Sequence, residues 1–277
     1  MGEYSKLKNM KKILITLWAL LITGLVYGQG QSAPKPSQEQ AKMKKILLAS
    51  TSTIYGGTYL SYLKEELKVF FAGVDEILFI PYARPSGISH DEYTQKAKDF
   101  FATIGKKVVG IHTFANPAEA VKQAKAIFTG GGNTFLLVTQ LYENGVMEPL
   151  REAVNAGTPY MGASAGTNIA GQSMQTTNDM PIIYPPSFKT LGVVPFNINP
   201  HYLDPDPKSK HKGETRQTRI NEFHVLNDTP VIGLREGSWL VIENGKLTLK
   251  GKLTARIFQQ GQEPYEWDGK TPLPFFK

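Results

Sequence analysis

Apolar and polar positions along this chain change period in blocks. Five short, continuous apolar runs read as buried strands: "KKILLAS" (44–50), "EILFIPYA" (76–83), "KKVVGIH" (106–112), "KAIFTGGG" (125–132) and "TPYMGAS" (158–164). Helical spacing separates them. "TYLSYLKEELKVFFAG" (58–73) places Leu60, Leu63, Leu67, Phe70 and Phe71 on one face, and Gly73 ends it. Further helices are expected over Asp91 to Ile104 and Pro117 to Ala124. Thr134 to Ala156 is one helix, or two broken near Gly145. Strands alternating with helices predict an α/β domain with a mostly parallel sheet and helices on both faces. From Pro230 the pattern turns to strands: "PVIGL", "SWLVIENGKLTLKG" and "TARIFQ". The Asn244-Gly245 pair predicts a β-hairpin closing the chain.

The first residues have a different character. Lys6, Lys8, Lys11 and Lys12 precede the apolar run Ile13 to Gly28, and Gly28 ends it. A basic start, a short apolar run and a small residue predict an export signal over 1–28, with the mature chain beginning near Gln29 in the periplasm or outside the cell. Residues 29–43, polar and proline-containing, read as a disordered spacer. The catalytic domain is expected over 44–277. "MKKIL" recurs at Met43, and a start there would leave the protein in the cytoplasm. The formal charge of the whole chain is +7. Removing residues 1–28 leaves 27 basic and 23 acidic residues, a net +4, so no nucleic acid is implied. The mature form carries no membrane segment in this reading. There are no cysteines, which excludes disulfides, thiolate zinc sites and a cysteine nucleophile. No metal or cofactor is called for.

Candidate chemistry centres on Ser164 in "MGASAGTNIAG" (161–171). A strand runs into the serine and "AGTNIAG" can start a helix, the pattern of a nucleophile elbow. Small neighbours suit it because the sharp turn leaves no room for side chains. The serine needs a base, and the chain has five histidines. His90 and His112 precede the serine; His211 and His224 sit in a polar loop and a helix-like segment. His201 stands in "FNINPHYLD" behind a proline that fixes the approach of the backbone. Asp179 in "TTNDMP" and Glu236 in "LREGSW" are the acid candidates. Only 37 residues separate Ser164 from His201, too few for the elements that α/β-hydrolases place between them.

Several blocks together carry a resemblance: "FIPYA" (79–83), "FTGGGNTF" (128–135), "GASAGTN" (162–168), "TTNDMPI" (176–182), "INPHY" (198–202), "HKGETRQTRI" (211–220) and "REGSW" (235–239). The chain resembles the peptidase E family, the α-aspartyl dipeptidases among serine peptidases, from about Met43 to beyond Trp239. The resemblance implies a flavodoxin-like fold, related to class I glutamine amidotransferase domains with serine in place of cysteine. It implies that Ser164 attacks the carbonyl and His201 takes its proton. It names Asp179 first as the orienting acid, with Glu236 as rival or as the group that holds the substrate's α-ammonium. Backbone N–H groups near Gly132 and at Ala165 can form an oxyanion hole. The "GGGN" loop lacks the spacing of a nucleotide-binding loop.

Within "HKGETR", His211, Lys212 and Arg216 are basic. The resemblance points to Arg216 as the group that grips the side-chain carboxylate of an N-terminal aspartate, on a loop that could close over a small peptide. Two other readings stand beside an Asp-Xaa dipeptidase. One is a cyanophycinase-like hydrolase of aspartate-linked β-dipeptides. The other is a non-catalytic binding protein on the same fold.

Overall fold

The computed structural model describes residues 44–276, apart from 209 and 211. The expected export signal and spacer, and His211, lie outside the described residues. The five apolar runs form β1 (Lys45–Ala49), β2 (Glu76–Ile80), β3 (Lys107–Gly110), β4 (Ile127–Thr129) and β5 (Tyr160–Ala163). All pair in parallel, in the order β3-β2-β4-β5-β1. Their residues are buried on both faces because helices cover both. Leu47, Ile77, Phe79, Phe128 and Met161 pack with Leu67 and Phe70 of α1 (Lys64–Phe70) and with Tyr93 and Phe101 of α2 (His90–Ala102). The alternate residues Ile46, Leu48, Leu78, Ile80 and Ile127 face the other way. They pack with Val121 of α3 (Pro117–Gln123), Leu137 and Leu141 of α4 (Thr134–Glu143), and Leu150 and Val154 of α5 (Met147–Asn155). Period-two alternation therefore divides each strand between two cores, as a doubly covered sheet requires.

Local signals set the helix ends. Ser89 and Glu92 form a reciprocal capping box at the start of α2. Gly145, at φ 64°, breaks the 134–156 segment into α4 and α5. The first expected helix begins only at Lys64: Leu60 is left-handed (φ 54°) and residues 61–63 form a 3₁₀ turn. The helix expected after the serine is a single turn, α6 (Ala165–Asn168).

The C-terminal half holds a second sheet. Its elements are β6 (Asn197–Pro200), α7 (Arg216–Leu226), β7 (Val231–Leu234), β8 (Trp239–Glu243), β9 (Lys246–Lys250), β10 (Ala255–Phe258) and β11 (Tyr265–Trp267). Asn244 and Gly245 both take positive φ, 54° and 74°, in a tight turn between β8 and β9. That hairpin does not close the chain. It extends the main sheet, β8 lying antiparallel on β1 and β9 on β8. β10 and β11 then join β7 and β6 in a four-stranded sheet ordered β11-β10-β7-β6. β6 ("NINP") and β11 ("YEW") are too short and too polar for their periodicity to reveal them.

Candidate active site

The carboxyl ends of parallel strands gather the chemistry. Register aligns Ala49 with Ala163 and Thr129 with Gly162, so Ser50 and Gly131 emerge level with Ser164. Ser164 leaves β5 with φ 54° and ψ −110°, a backbone conformation few non-glycine residues adopt. Its surroundings hold it there. The Ser164 N–H donates to Ala49 O at 3.1 Å, and the Thr167 hydroxyl lies 2.6 Å from Ala49 O and 2.8 Å from Gly162 O. A Cβ on Gly162 would lie 2.3 Å from Gly166 O, and one on Gly166 2.2 Å from Thr129 O. The glycines flanking the serine are required by backbone-to-backbone approach.

His201 follows β6, and Glu236 lies two residues beyond β7. β6 and β7 pair in parallel, Pro200 opposite Leu234, which brings both residues to one strand end. The Ser164 hydroxyl meets His201 Nε2 at 2.8 Å, and His201 Nδ1 meets Glu236 Oε1 at 2.5 Å. A carboxylate accepts only, so Nδ1 carries the proton and Nε2 is free to accept from the serine. Ser50 joins the two sheets. Fully buried, its hydroxyl donates to Leu234 O at 2.7 Å and accepts from the His201 N–H at 2.9 Å. Motif reading did not find Ser50; a lone serine at a strand end carries no signal.

Asp179 is elsewhere. Its Oδ2 accepts from the Thr134 N–H (2.7 Å), the Thr134 hydroxyl (2.6 Å) and the Thr177 hydroxyl (3.0 Å), at the start of α4. It makes no hydrogen bond to His201 among the described residues. The ranking of Asp179 before Glu236 as the histidine's partner is therefore reversed: the two strand ends deliver Glu236 to the imidazole, while the segment carrying Asp179 runs to a helix start.

The glycine loop lies against the serine. A Cβ on Gly131 would sit 2.9 Å from Ser164 Cβ. Tyr93 pins this residue by accepting the Gly131 N–H at 2.9 Å. Gly132 has φ 146°, and a Cβ there would meet Ala83 O at 2.2 Å. The N–H groups of Gly132 and Ala165 donate to no acceptor among the described residues. They remain available to an oxyanion.

Arg216 is not on a loop. It is the first residue of α7, whose cap Thr215 accepts from the Thr218 N–H at 3.0 Å. The guanidinium is half-buried and makes no ion pair among the described residues. Burial, then the neighbouring Arg219, lower its pKa, and the negative charge of Asp179 opposes them. An arginine stays charged despite such a shift.

Serine, histidine and glutamate joined by hydrogen bonds above the strand ends of an open α/β sheet define a serine hydrolase of the acyl-transfer type. Comparison with known proteins narrows the class. The sequence model described as peptidase family S51 matches residues 46–250; the chain belongs to that family and is a peptidase. It is 50% identical over 221 residues to "Peptidase E" of Streptomyces coelicolor, covering 80% of this chain and 90% of that protein. It is 46% identical over 222 residues to "Probable alpha-aspartyl dipeptidase" of Drosophila melanogaster, covering 79% and 91%. Among solved structures, it is similar in fold to a putative peptidase E protein from Listeria monocytogenes EGD-e. The TM-score is 0.56 at 21% identity, covering 76% of this chain and 99% of that one. A peptidase from an acI-B1 Actinobacterium matches with a TM-score of 0.62 at 18% identity, covering 85% and 98%.

Proposed function

We propose that this chain is an α-aspartyl dipeptidase, a serine exopeptidase that splits Asp-Xaa dipeptides through an acyl-enzyme. The observation that carries the reading is the hydrogen-bonded sequence Ser164–His201–Glu236, together with the names of relatives at 46–50% identity. Ser164 Oγ attacks the scissile carbonyl carbon while its proton passes to His201 Nε2. The carbonyl oxygen becomes an oxyanion between the N–H groups of Gly132 and Ala165. Glu236 holds Nδ1–H and stabilises the imidazolium. The C–N bond then breaks, and His201 returns the proton to the leaving amine. Water, deprotonated by the same histidine, splits the aspartyl ester and frees Ser164.

Substrate choice is assigned to charge. An aspartate side chain entering the site must shed water, which is costly unless an opposite charge meets it. Arg216 supplies that charge with a planar fork suited to a carboxylate. Hydrolysis of a panel led by Asp, Asn, Glu or β-linked Asp tests the reading. Asp-Leu is expected to be the best substrate. Preference for β-linked Asp would favour the cyanophycinase-like alternative, and no hydrolysis together with no labelling of Ser164 by a fluorophosphonate would favour a binding protein.

The compartment is part of the proposal. The basic, apolar and small-residue order of 1–28 supports export with a mature start near Gln29. Intact-mass analysis of fractionated cells checks this, and a cytosolic chain beginning at Met43 would overturn it.

A further inference from the structure

Asp179 stands outside the serine–histidine–glutamate sequence, yet it is bonded to both sides of it through one short strap. On one side its Oδ2 takes the N–H and hydroxyl of Thr134 and the hydroxyl of Thr177. Thr134 comes two residues after Gly132. The amide of the intervening Asn133 donates to Met180 O at 2.9 Å, so the strap grips the loop twice. On the other side the strap is bound to the strand that ends at His201. The Asn178 amide donates to Pro200 O at 2.7 Å. The Asn199 amide donates to Thr176 O and to Asn178 Oδ1, both at 2.8 Å. The Thr176 hydroxyl donates to Ile198 O at 3.0 Å.

Residues 176–180 thus tie the loop carrying one oxyanion donor to the strand end carrying the base. Upstream of Gly132, Tyr93 holds Gly131; just downstream, Ala83 O accepts the Asn133 N–H at 2.7 Å. Downstream, the anchor at Thr134 is Asp179. Its carboxylate lies at the start of a ten-residue helix, where exposed N–H groups favour negative charge.

We propose that Asp179 is a positioning residue: by clamping the first turn of α4 it sets the Gly132 N–H at the distance from Ser164 and His201 that an oxyanion needs. The proposal rests on the reading of Ser164 as nucleophile and Gly132 as oxyanion donor. It accounts for a carboxylate that faces neither the histidine nor any other hydrogen-bonding member of the site. Removing it leaves the Thr134 N–H without its acceptor, so that on this side the loop is held only through Asn133, by Ala83 O and Met180 O. A shift of about 1 Å in a catalytic group can cost ~10²-fold in rate.

The test compares Asp179→Ala, Asp179→Asn and Thr177→Val, with Glu236→Gln and Arg216→Ala as references. Asp179→Ala is expected to lower kcat by ~10²-fold for Asp-Leu and Asn-Leu alike, with KM little changed and the pH profile of kcat/KM unmoved. Asp179→Asn keeps an oxygen to accept the Thr134 N–H and should recover most of the loss. Labelling of Ser164 by a fluorophosphonate, whose phosphoryl oxygen occupies the oxyanion position, should slow by a similar factor. That arm needs no peptide. A chain that hydrolyses no dipeptide, but whose labelling slows in Asp179→Ala, would defeat the dipeptidase reading and uphold this one. A folded Asp179→Ala labelled at the wild-type rate overturns the proposal. So does a loss confined to Asp-Leu, which would place the effect on Arg216. A pH profile displaced as in Glu236→Gln would place it on His201 and overturn it too. Should Asp179→Ala fail to fold, Thr177→Val removes one donor from the same carboxylate. The same comparisons then apply with a smaller loss, about 3- to 10-fold, and an unchanged labelling rate again overturns the proposal.

Discussion

Ser164, proposed as the nucleophile, is also strained at φ 54°, and the two properties separate by substitution. Ser164→Ala removes the attacking hydroxyl and keeps the strained backbone, so turnover is expected to vanish while the fold remains. Ser164→Gly is equally inactive but releases the positive-φ strain, ~1–3 kcal/mol, against ~0.5–1 kcal/mol for the freer unfolded chain. It should therefore melt above Ser164→Ala in thermal unfolding, and a lower melting temperature would show that the elbow is unstrained. Glu236→Gln keeps the shape at His201 and loses the charge that stabilises the imidazolium. A fall in kcat of ~10²–10⁴-fold is expected, with the histidine step of the pH profile displaced. At Arg216, replacement by Ala should cost ~2–3 kcal/mol in kcat/KM for Asp-Leu and much less for Asn-Leu. Equal losses for the two peptides would show that Arg216 does not read the aspartate charge.

At the scale of elements, the site depends on β1 meeting the pair β6 and β7 correctly, and Ser50 is the joint. Ser50→Ala leaves the His201 N–H unpaired inside the protein, while the Leu234 carbonyl keeps the Tyr202 N–H at 3.1 Å. Each buried group without a partner costs ~1–3 kcal/mol. Urea unfolding should register a loss of that order. The kcat should fall as well, because the backbone of His201 loses its fixed height over Ser164. A variant destabilised with unchanged kcat would mean that β6 alone holds the histidine. At α7, Thr215→Ala removes the cap that satisfies the Thr218 N–H. It should cost ~1 kcal/mol and loosen Arg216, raising KM for Asp-Leu rather than lowering kcat.

Across the whole molecule, an ion-pair network fastens the chain behind the site. Arg235, next to Glu236, binds Asp204 with two hydrogen bonds (2.8 and 2.7 Å) and Glu266 of β11 with two more (2.9 and 3.0 Å). It thereby links the end of β7 to the turn after His201 and to the outer strand of the second sheet. The Arg235 guanidinium, chiefly, pulls the Glu266 carboxyl from 4.5 down to about 2. Between those values the unfolded chain binds a proton that the folded chain does not. Stability from this group is thus fully present above pH 4.5 and is lost as pH falls through about 2. With the Glu266 side chain 41% exposed, solvent screens part of the effect. Denaturant unfolding at pH 5 and pH 3 should give a smaller difference for Glu266→Gln than for the native chain; an equal difference would remove Glu266 from the acid response.

Features governed by near neighbours along the chain were legible in the sequence. Apolar runs marked the five parallel strands because residues buried on both faces leave no polar alternation. Gly145 marked a helix break and Asn244-Gly245 a hairpin because left-handed backbone demands few residue types. Ser164 was legible because its turn excludes side chains from the flanking positions. Tertiary structure alone decided what joins parts distant in sequence. The hairpin became the edge of the main sheet rather than the end of the chain, since the partner of an edge strand is set by register and not by period. Glu236, not Asp179, reached His201, because Pro200 pairs opposite Leu234 and Ser50 locks that pair to β1. Both carboxylates stand in polar segments of similar composition. Which one meets the imidazole is fixed by strand ends converging in space, and no local pattern of burial encodes that convergence.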